Sequence, residues 1–330
     1  MGIKIIQKSL WPVIALLALV WVNRLSAQET DQIAKQIAWS PDGTMLAVGF
    51  DSNECDIQNP HSENLLILDA TTLEVVTPGP VKSCHAGLVE WSPDSTRFVI
   101  VGIEGLRVWN VENQEFDLTA IGGHIIKWSP DGSMLAVGGM SGTALTVDVS
   151  TGDVLTRFPS SVFFGLAWSP NGEQLAIADS VVINVFDVNT LEEIGTIDIP
   201  GIIEQIEWEK NGSRLAVYRV SPSDMQRAID IVDVDTMQTD LSISLVGYLQ
   251  PIEGITDISL SPTGNQIAVV IPAFGVLIFD TTTGELVTHI DQEGIFAIDW
   301  SPDGSRLAYV PSEDDDELVG FLDDLGEAAR

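Results

Sequence analysis

Few residues of this chain have the type and spacing that catalysis or metal binding requires. The four histidines, His61, His85, His124 and His289, are scattered along the sequence. The sequence has no nucleophile elbow, paired-histidine zinc motif, phosphate-binding glycine loop or Cys-x-x-Cys pair. The acidic run 314–317 lacks the spaced glycine and alternating ligands of a calcium loop. We therefore expect no catalytic residue, no metal site and no cofactor.

The chain is instead organised by a short sequence that recurs seven times. In its clearest copy, residues 126–138, a strand-like stretch ends on an aromatic residue, and Ser-Pro-Asp-Gly and a short apolar run follow. The aromatic position is occupied by Trp39, Trp91, Trp128, Trp168, Trp208, Leu260 and Trp300. The intervals between these positions are 52, 37, 40, 40, 52 and 40 residues. A near-constant period with two longer units indicates a repeat array that carries two loop insertions.

Each repeat contains the signals of four short strands. Proline and glycine in Ser-Pro-Asp-Gly predict a tight turn between the first two strands. A third apolar run ends on a polar residue, as in 183–187, and a more polar fourth run, such as 285–290, follows another turn. Seven such units predict an all-β fold, a seven-bladed β-propeller of four-stranded antiparallel blades. We expect the seventh blade to be the weakest and to be completed, if at all, by the C-terminal residues 326–330.

These repeats resemble those of the WD-repeat propeller family over about residues 33–325. Trp109-Asn110 stands where that family has Trp-Asp, and Phe186-Asp187 and Phe279-Asp280 occupy the same place. The Gly-His pair of the family is missing before the first-strand aromatic residues. The Ser-Pro-Asp-Gly turn is also similar to that of the TolB-like periplasmic propellers. The TolB resemblance implies a component of an envelope complex.

Residues 1–27 stand outside the repeats and have the composition of a secretory signal peptide. A basic start precedes an apolar run at 10–22, and Ser26-Ala27 offers a small-residue cleavage site. The run is shorter than the roughly 20 apolar residues of a membrane span. We expect an exported protein, periplasmic or extracellular, whose residues 28–330 form the propeller. The alternative is an uncleaved segment that anchors the chain to a membrane.

The charge of the chain restricts its partners. The formal net charge is −33 at pH 7. Such a surface repels phosphate backbones, so we expect no nucleic acid partner. Basic partners, cations or a salty medium fit the charge better. The alternative is that the acidic residues cap turns and keep the protein in solution, and we expect a monomer.

The two cysteines, Cys55 and Cys84, lie in connections that a propeller places on one face. In an exported protein, two cysteines on one face predict a disulfide bond between them. The alternative is a pair of free thiols that are too far apart to join.

Binding is predicted on the face that carries these connections. The insertions at 220–228, 246–254 and 312–317 emerge there, and the opposite face carries the tight Ser-Pro-Asp-Gly turns. Variable loops on a rigid scaffold are a common place for binding, although exposed loops also tolerate neutral changes in length. We therefore predict a non-catalytic scaffold that binds a protein or peptide through its loop-rich face. The rival function is that of a propeller enzyme, a hydrolase or lyase whose acids come from several blades.

The repeat register places six candidate binding residues around the loop-rich end of the channel. They are Phe50, His124, Phe164, Asp179, Arg219 and Tyr248. Aromatic residues and arginine contribute much of the energy of protein interfaces. Arg219 is suited to an acidic group on a ligand or to pairing with Asp179, or it neutralises its acidic neighbours.

Overall fold

The structure is a computed structural model, and it describes most of the repeat region. The described residues are 32–52, 65–78, 89–102, 105–120, 123, 125–138, 143–159, 164–210, 212–248, 254–311, 318–323 and 325. Within these ranges, no helix is long and apolar enough to cross a membrane. The segment 1–27, Cys55, Cys84, His124 and residues 326–330 lie outside the described residues, so the predictions for them stay predictions.

The first three blades are antiparallel sheets of four strands in sequence order. Blade 1 contains β1 (Gln32–Trp39), β2 (Met45–Ser52), β3 (Leu65–Asp69) and β4 (Val75–Pro78). Blade 2 contains β5 (Val89–Trp91), β6 (Arg97–Gly102), β7 (Gly105–Asn110) and β8 (Glu115–Ala120). Blade 3 contains β9 (Ile125–Trp128), β10 (Met134–Gly138), β11 (Ala144–Asp148) and β12 (Val154–Phe158).

Blades 4 to 6 repeat this order, and blade 7 contains three described strands. Blade 4 contains β13 (Gly165–Trp168), β14 (Gln174–Asp179), β15 (Val182–Asp187) and β16 (Glu193–Asp198). Blade 5 contains β17 (Ile202–Trp208), β18 (Arg214–Val220), β19 (Arg227–Asp233) and β20 (Gln238–Ser244). Blade 6 contains β21 (Asp257–Leu260), β22 (Gln266–Ile271), β23 (Gly275–Asp280) and β24 (Leu286–Ile290). Blade 7 contains β25 (Ile295–Trp300), β26 (Leu307–Pro311) and β27 (Gly320–Leu322).

The predicted all-β propeller with seven antiparallel blades is confirmed. The first strand of each blade contacts the first strand of the next, and β25 contacts β1, so the seven first strands form a closed ring around a central channel. The apolar core lies between neighbouring blades. One buried cluster, for example, joins Val99 and Val108 of blade 2 to Trp128 and Leu135 of blade 3. No blade can bury both of its faces alone, so the ring is needed to complete the core.

The tight turns have the backbone that their sequence predicts. In blade 3 the Ser129 hydroxyl donates to Asp131, and the Met134 backbone N–H donates back to Ser129 Oγ at 2.9 Å. Gly132 has φ +71°, a left-handed conformation that glycine adopts without a steric penalty. In blade 2 the equivalent residue is Ser95, which has φ +61°. Its hydroxyl accepts from the Asp42 N–H of the blade 1 turn at 3.0 Å.

Candidate functional site

The residue before the aromatic position of each first strand lines the channel. Side chains alternate along a strand, so the residue beside an aromatic that packs between blades points to the opposite side. In blade order these residues are Ala38, Glu90, Lys127, Ala167, Glu207, Ser259 and Asp299. Four of the seven are ionisable, and they come from blades 2, 3, 5 and 7. The channel therefore brings together charges that lie far apart in the sequence.

The tryptophans join each blade to the one before it. Trp39 Nε1 donates to the Asp299 carbonyl oxygen at 3.1 Å, which links blade 1 to blade 7. The same bond to the preceding blade is made by Trp91, Trp128, Trp168 and Trp300. Trp208 instead donates to the Gly212 carbonyl of its own turn at 3.1 Å. The recurring tryptophan thus has a structural role, because it hydrogen-bonds blades around the ring.

Channel carboxylates make a second set of bonds between blades. Glu90 accepts the Trp128 backbone N–H at 2.9 Å, Glu207 accepts that of Leu260 at 3.0 Å, and Asp299 accepts that of Trp39 at 2.8 Å. Deeper in the channel, Asp257 accepts the Ile298 N–H at 3.0 Å. Hydrogen bonds to charged groups contribute roughly 1.5–3 kcal/mol each when the donor would otherwise be buried alone. These acids therefore help to hold the ring closed.

At the end of the channel that carries the tight turns, the ring opens into a cavity of about 630 Å³, the turn-face funnel. Its rim is formed by the residues that follow the turn serine or its equivalent: Pro41, Pro93, Pro130, Pro170, Lys210, Pro262 and Pro302. Six indoles form its wall, from Trp39, Trp91, Trp128, Trp168, Trp208 and Trp300. Glu90, Lys127, Glu207 and Asp299 lie at its floor. Lys210 is the one departure from proline on this rim.

Three of the ionisable side chains at the floor of the funnel have shifted pKa values. Lys127 Nζ lies 2.9 Å from Glu90 Oε2, and this carboxylate raises the pKa of Lys127. Burial in the channel raises the pKa of Glu207 to about 7 and that of Asp299 to about 6. Burial also raises the pKa of Asp257 to about 7, and the nearby acids Asp299 and Glu207 add to that rise. The pKa values of these carboxylates are thus raised chiefly by burial.

The sequence contains a signal for this charged cluster, although none of its residues is among the six candidate binding residues. The repeat register places those six residues around the loop-rich end of the channel. The residue just before each aromatic position lies at the other end, and the two-residue period of a strand identifies it. Reading that one column across the repeats would have found Glu90, Lys127, Glu207 and Asp299.

The structure places the described candidate residues at the loop-rich end, in different surroundings. Phe50 is 8% exposed and belongs to the core between blades 7 and 1. Phe164 and Asp179 are partly exposed in blade 4, where the Phe164 N–H donates to the Ala178 carbonyl at 2.8 Å. Tyr248 is partly buried, and its ring centroid lies 5.9 Å from that of Phe279. These residues do not form one cluster in the contacts described.

Arg219 belongs to a network inside blade 5. Its Nε lies 2.5 Å from Asp230 Oδ2, and Nη2 donates to Ser242 Oγ at 3.3 Å. Ser242 in turn donates to Asp230 at 2.6 Å, and Nη1 of Arg219 donates to the Pro200 carbonyl at 3.3 Å. Asp230 is 1% exposed, so Arg219 is needed to compensate a buried carboxylate. This is the neutralising role that the sequence left open for Arg219.

Comparison with known proteins bears on the repeats and on the fold. The family model described as the anaphase-promoting complex subunit 4 WD40 domain matches residues 13–94 and 87–163, together just under half of the chain. The first match begins inside the segment that was assigned to a signal peptide.

One curated protein and one solved structure illustrate the likeness. Minichromosome loss protein 1 of Schizosaccharomyces pombe is 27% identical over 185 residues, which are 52% of this chain. The match spans only 22% of that protein's own length. The β-propeller domain of Myceliophteria thermophila Cps50 (Swd1) superposes with a TM-score of 0.71 and 17% identity, over 89% of this chain and 99% of that one. At this identity the superposition shows the fold alone.

The expected localisation is wrong. The matching proteins are named for the anaphase-promoting complex and for minichromosome loss, which concern the interior of the cell. The composition of residues 1–27, from which export was predicted, is not itself tested by these comparisons. The comparisons likewise give no support to the TolB resemblance.

Two comparisons support the resemblance to WD-repeat propellers. The family model is that of a WD40 domain, and the solved structure that superposes is a propeller. The seven repeats, each with a tight turn and a large side chain at the aromatic position, agree with both findings. The chain is therefore a seven-bladed β-propeller whose repeats resemble those of WD-repeat proteins.

Proposed function

We propose that this chain is a non-catalytic scaffold that binds a protein or peptide partner through its loop-rich face. The observation that carries the proposal is the closed ring, in which indoles and carboxylates bond most blades to a neighbour. A rigid ring lets loops of any sequence be displayed without loss of the fold. The match to the WD40 domain of a complex subunit supports the same class of function.

An aromatic cluster on the loop-rich face offers a contact surface. The rings of Phe274 and His289 are stacked, with centroids 4.4 Å apart and planes 7° from parallel, and Tyr248 lies 6.1 Å from Phe274. Val246, two residues before Tyr248, is 58% exposed. Aromatic side chains held in place by one another lose little conformational freedom on binding. We place the centre of the partner surface at this cluster, between blades 5 and 6, with Phe164 at its edge.

The rival enzyme would use the channel acids, whose raised pKa values are typical of catalytic groups. Each of these acids, however, already accepts a backbone N–H from the next blade. Bonding between blades accounts for their presence in the channel without any reaction. This favours the scaffold over a hydrolase or lyase.

The test uses the full chain as an immobilised bait, with mass spectrometry of the captured proteins and direct titration of the purified partner. Replacing Tyr248 and Phe274 by alanine should weaken binding by about 2 kcal/mol or more, roughly 30-fold, the usual hot-spot scale. Glu173→Ala, at an exposed turn of the opposite face, should leave binding unchanged. Equal losses from both variants, or loss only from the turn variant, would contradict the assignment to the loop-rich face.

A further inference from the structure

The turn-face funnel has the shape and lining of a binding site, although every blade presents its most regular sequence there. The cavity of about 630 Å³ is lined by all seven blades. Its upper part is apolar, because proline rings and the edges of indoles face the opening. Pro41, Pro93, Pro130 and Pro170 are exposed, so this apolar rim is in contact with solvent. A ligand that enters would pass apolar surface before it meets any charge.

The floor of the funnel is polar. Ala38 and Ala167 are the smallest of the residues before the aromatic positions, and they belong to the blades that neighbour those of Asp299 and Glu207. Glu207 accepts the Leu260 N–H through Oε2, and Asp299 accepts the Trp39 N–H through Oδ2. Asp299 Oδ1 also accepts the Ser259 hydroxyl at 3.4 Å. The second oxygen of each carboxylate can accept a further donor, since an ionised carboxylate has about four lone-pair sites.

Counted as fully ionised, the side chains of the funnel leave one negative charge in excess. Glu90, Glu207 and Asp299 are opposed by Lys127 and Lys210. Glu209 also lines the cavity, but its charge is compensated by Arg214, whose Nη2 lies 2.5 Å away. One additional cation would therefore neutralise the funnel. The net charge of −33 attracts basic ligands to this surface as a whole.

We propose that the turn-face funnel is a second binding site, which takes the lysine or arginine side chain of a partner polypeptide. The aliphatic part of that side chain passes the proline and tryptophan rim, and its charged end reaches Glu207 and Asp299. Long basic side chains commonly divide their contacts in this way, with the stem on apolar surface and the head on polar groups. This site does not depend on the loop-rich face, because it lies at the opposite end of the channel.

Binding of a cation should be coupled to the ionisation of the floor. Burial raises the pKa of Glu207 and Asp299, and a bound cation would lower both and release protons near neutral pH. The other titratable groups that face or neighbour the floor are Glu90, Lys127, Lys210, Glu209 and Asp257. Affinity for a basic side chain should thus be greater at pH 8 than at pH 5.5.

The experiment follows the indole N–H signals of the full chain by NMR while short peptides are added. The probes are acetyl-Ala-Arg-Ala-amide, acetyl-Ala-Lys-Ala-amide and the matched peptide with glutamate. The arginine and lysine peptides should shift the signals of the funnel tryptophans, and the glutamate peptide should not. Trp109, which does not line the funnel, serves as the internal reference signal.

Two variants assign the effect to the floor. The double substitution Glu207→Gln and Asp299→Asn keeps an acceptor oxygen for each backbone N–H but removes both charges, and it should weaken peptide binding about ten-fold. Glu204→Gln is the matched control, because Glu204 is an exposed residue at the loop-rich end of the same strand, β17. It should leave binding unchanged.

Four results would overturn the proposal. They are no shift with either basic peptide, equal shifts with the glutamate peptide, an unchanged affinity in the double variant, and an equal loss in the control variant. Signals that depend only on protein concentration would show that a second copy of the chain occupies the funnel instead, which also refutes it. None of these results bears on binding at the loop-rich face, so the two proposals can fail separately.

Discussion

The two faces of this propeller are built by different means. On the turn face, the same contacts recur from blade to blade: a serine–aspartate turn, a glycine at positive φ and an indole bonded to the preceding blade. On the loop-rich face, each described blade makes its own contacts, such as the Arg219–Asp230 pair in blade 5 and the Phe274–His289 stack in blade 6. A face built from regular repeats can therefore still carry a distinct charged cavity, because the turn-face funnel lies on that side.

Blade 5 shows what happens where the regular face departs from its pattern. Its turn begins Glu209-Lys210 in place of Ser-Pro. Glu209 pairs with Arg214, and Arg214 Nη1 donates to the Thr281 carbonyl of blade 6 at 3.4 Å. Arg214 thus links blade 5 to blade 6, whereas the indole of Trp208 makes no bond to blade 4 and donates to its own turn instead.

The largest effect is expected on the loop-rich face, at Arg219. Arg219→Ala would leave Asp230 buried without its cation, and breaking a buried pair in this way typically costs about 3–5 kcal/mol. Urea unfolding monitored by tryptophan fluorescence gives the free energy of unfolding. The double variant Arg219→Met, Asp230→Ala should recover most of the loss, because no charge is then left unpaired. A loss below about 1 kcal/mol in the single variant would show that the pair is effectively solvated.

On the turn face, the glycine at positive φ should matter more than the aspartate of the same turn. Gly132 has φ +71°, and a β-branched residue there would cost about 2 kcal/mol or more. Asp131→Ala removes hydrogen bonds at an exposed turn and should cost about 1 kcal/mol. Gly254→Val on the loop-rich face is the control, since nothing lies within 4 Å of its added Cβ. The reverse order of Gly132→Val and Asp131→Ala in equilibrium unfolding would refute this account of the turn.

The regular face was the part that sequence could predict. The period of the repeats, the turn residues and the alternation of the first strand are local patterns, and they led to the blade count, the strand order and the tight turns. The charge cluster at Glu90, Lys127, Glu207 and Asp299 was within reach, because it occupies one column of the repeat. It was missed because those residues meet only when seven separate strands are closed into a ring.

The loop-rich face could not be predicted to the same depth. Arg219 and Asp230 are diagonal neighbours on adjacent strands, because Arg219 pairs with Ala228 in the register, and no repeat places an arginine and an aspartate at the same positions elsewhere. The stacking of His289 on Phe274 joins a loop to an outer strand. Such contacts depend on the paths of individual loops. Their lengths were visible in the sequence, but their conformations were not.

A smaller effect should separate two kinds of tryptophan. Trp39 donates its indole N–H to the Asp299 carbonyl, whereas the buried Nε1 of Trp109 has no hydrogen-bond partner among the described residues. Replacement by phenylalanine removes a similar volume at both positions, so the difference reports the hydrogen bond. Trp39→Phe should cost about 1 kcal/mol more than Trp109→Phe in the free energy of unfolding. An equal loss of unfolding free energy at both positions would mean that the indole hydrogen bonds do not stabilise the contacts between blades.

The smallest effect concerns pH, and its sign follows from the channel acids. Glu207, Asp257 and Asp299 have folded-state pKa values of about 7, 7 and 6, which burial raises from 4.5 for Glu and 3.8 for Asp. The folded protein therefore binds more protons than the unfolded chain between pH 4 and 7. The stability that these groups contribute is present in acid and is lost as pH rises through 6 to 7.

The unfolding temperature should accordingly be higher at pH 5.5 than at pH 8, by about 2 °C, since the open end of the funnel exposes these groups to solvent and weakens the effect. Below pH 4 the trend should reverse, because the turn carboxylates then become protonated. Hydrogen bonds from Ser301 and Ser305 lower the pKa of Asp303 to about 2, and its contribution is lost as pH falls through that range. Asp257→Asn should flatten the curve between pH 5.5 and 8, and Asp240→Asn, at an exposed outer strand, should not. An unfolding temperature that rises steadily from pH 5.5 to pH 8 would show that the channel acids are already neutralised, and the charge excess of the turn-face funnel would then have to be abandoned.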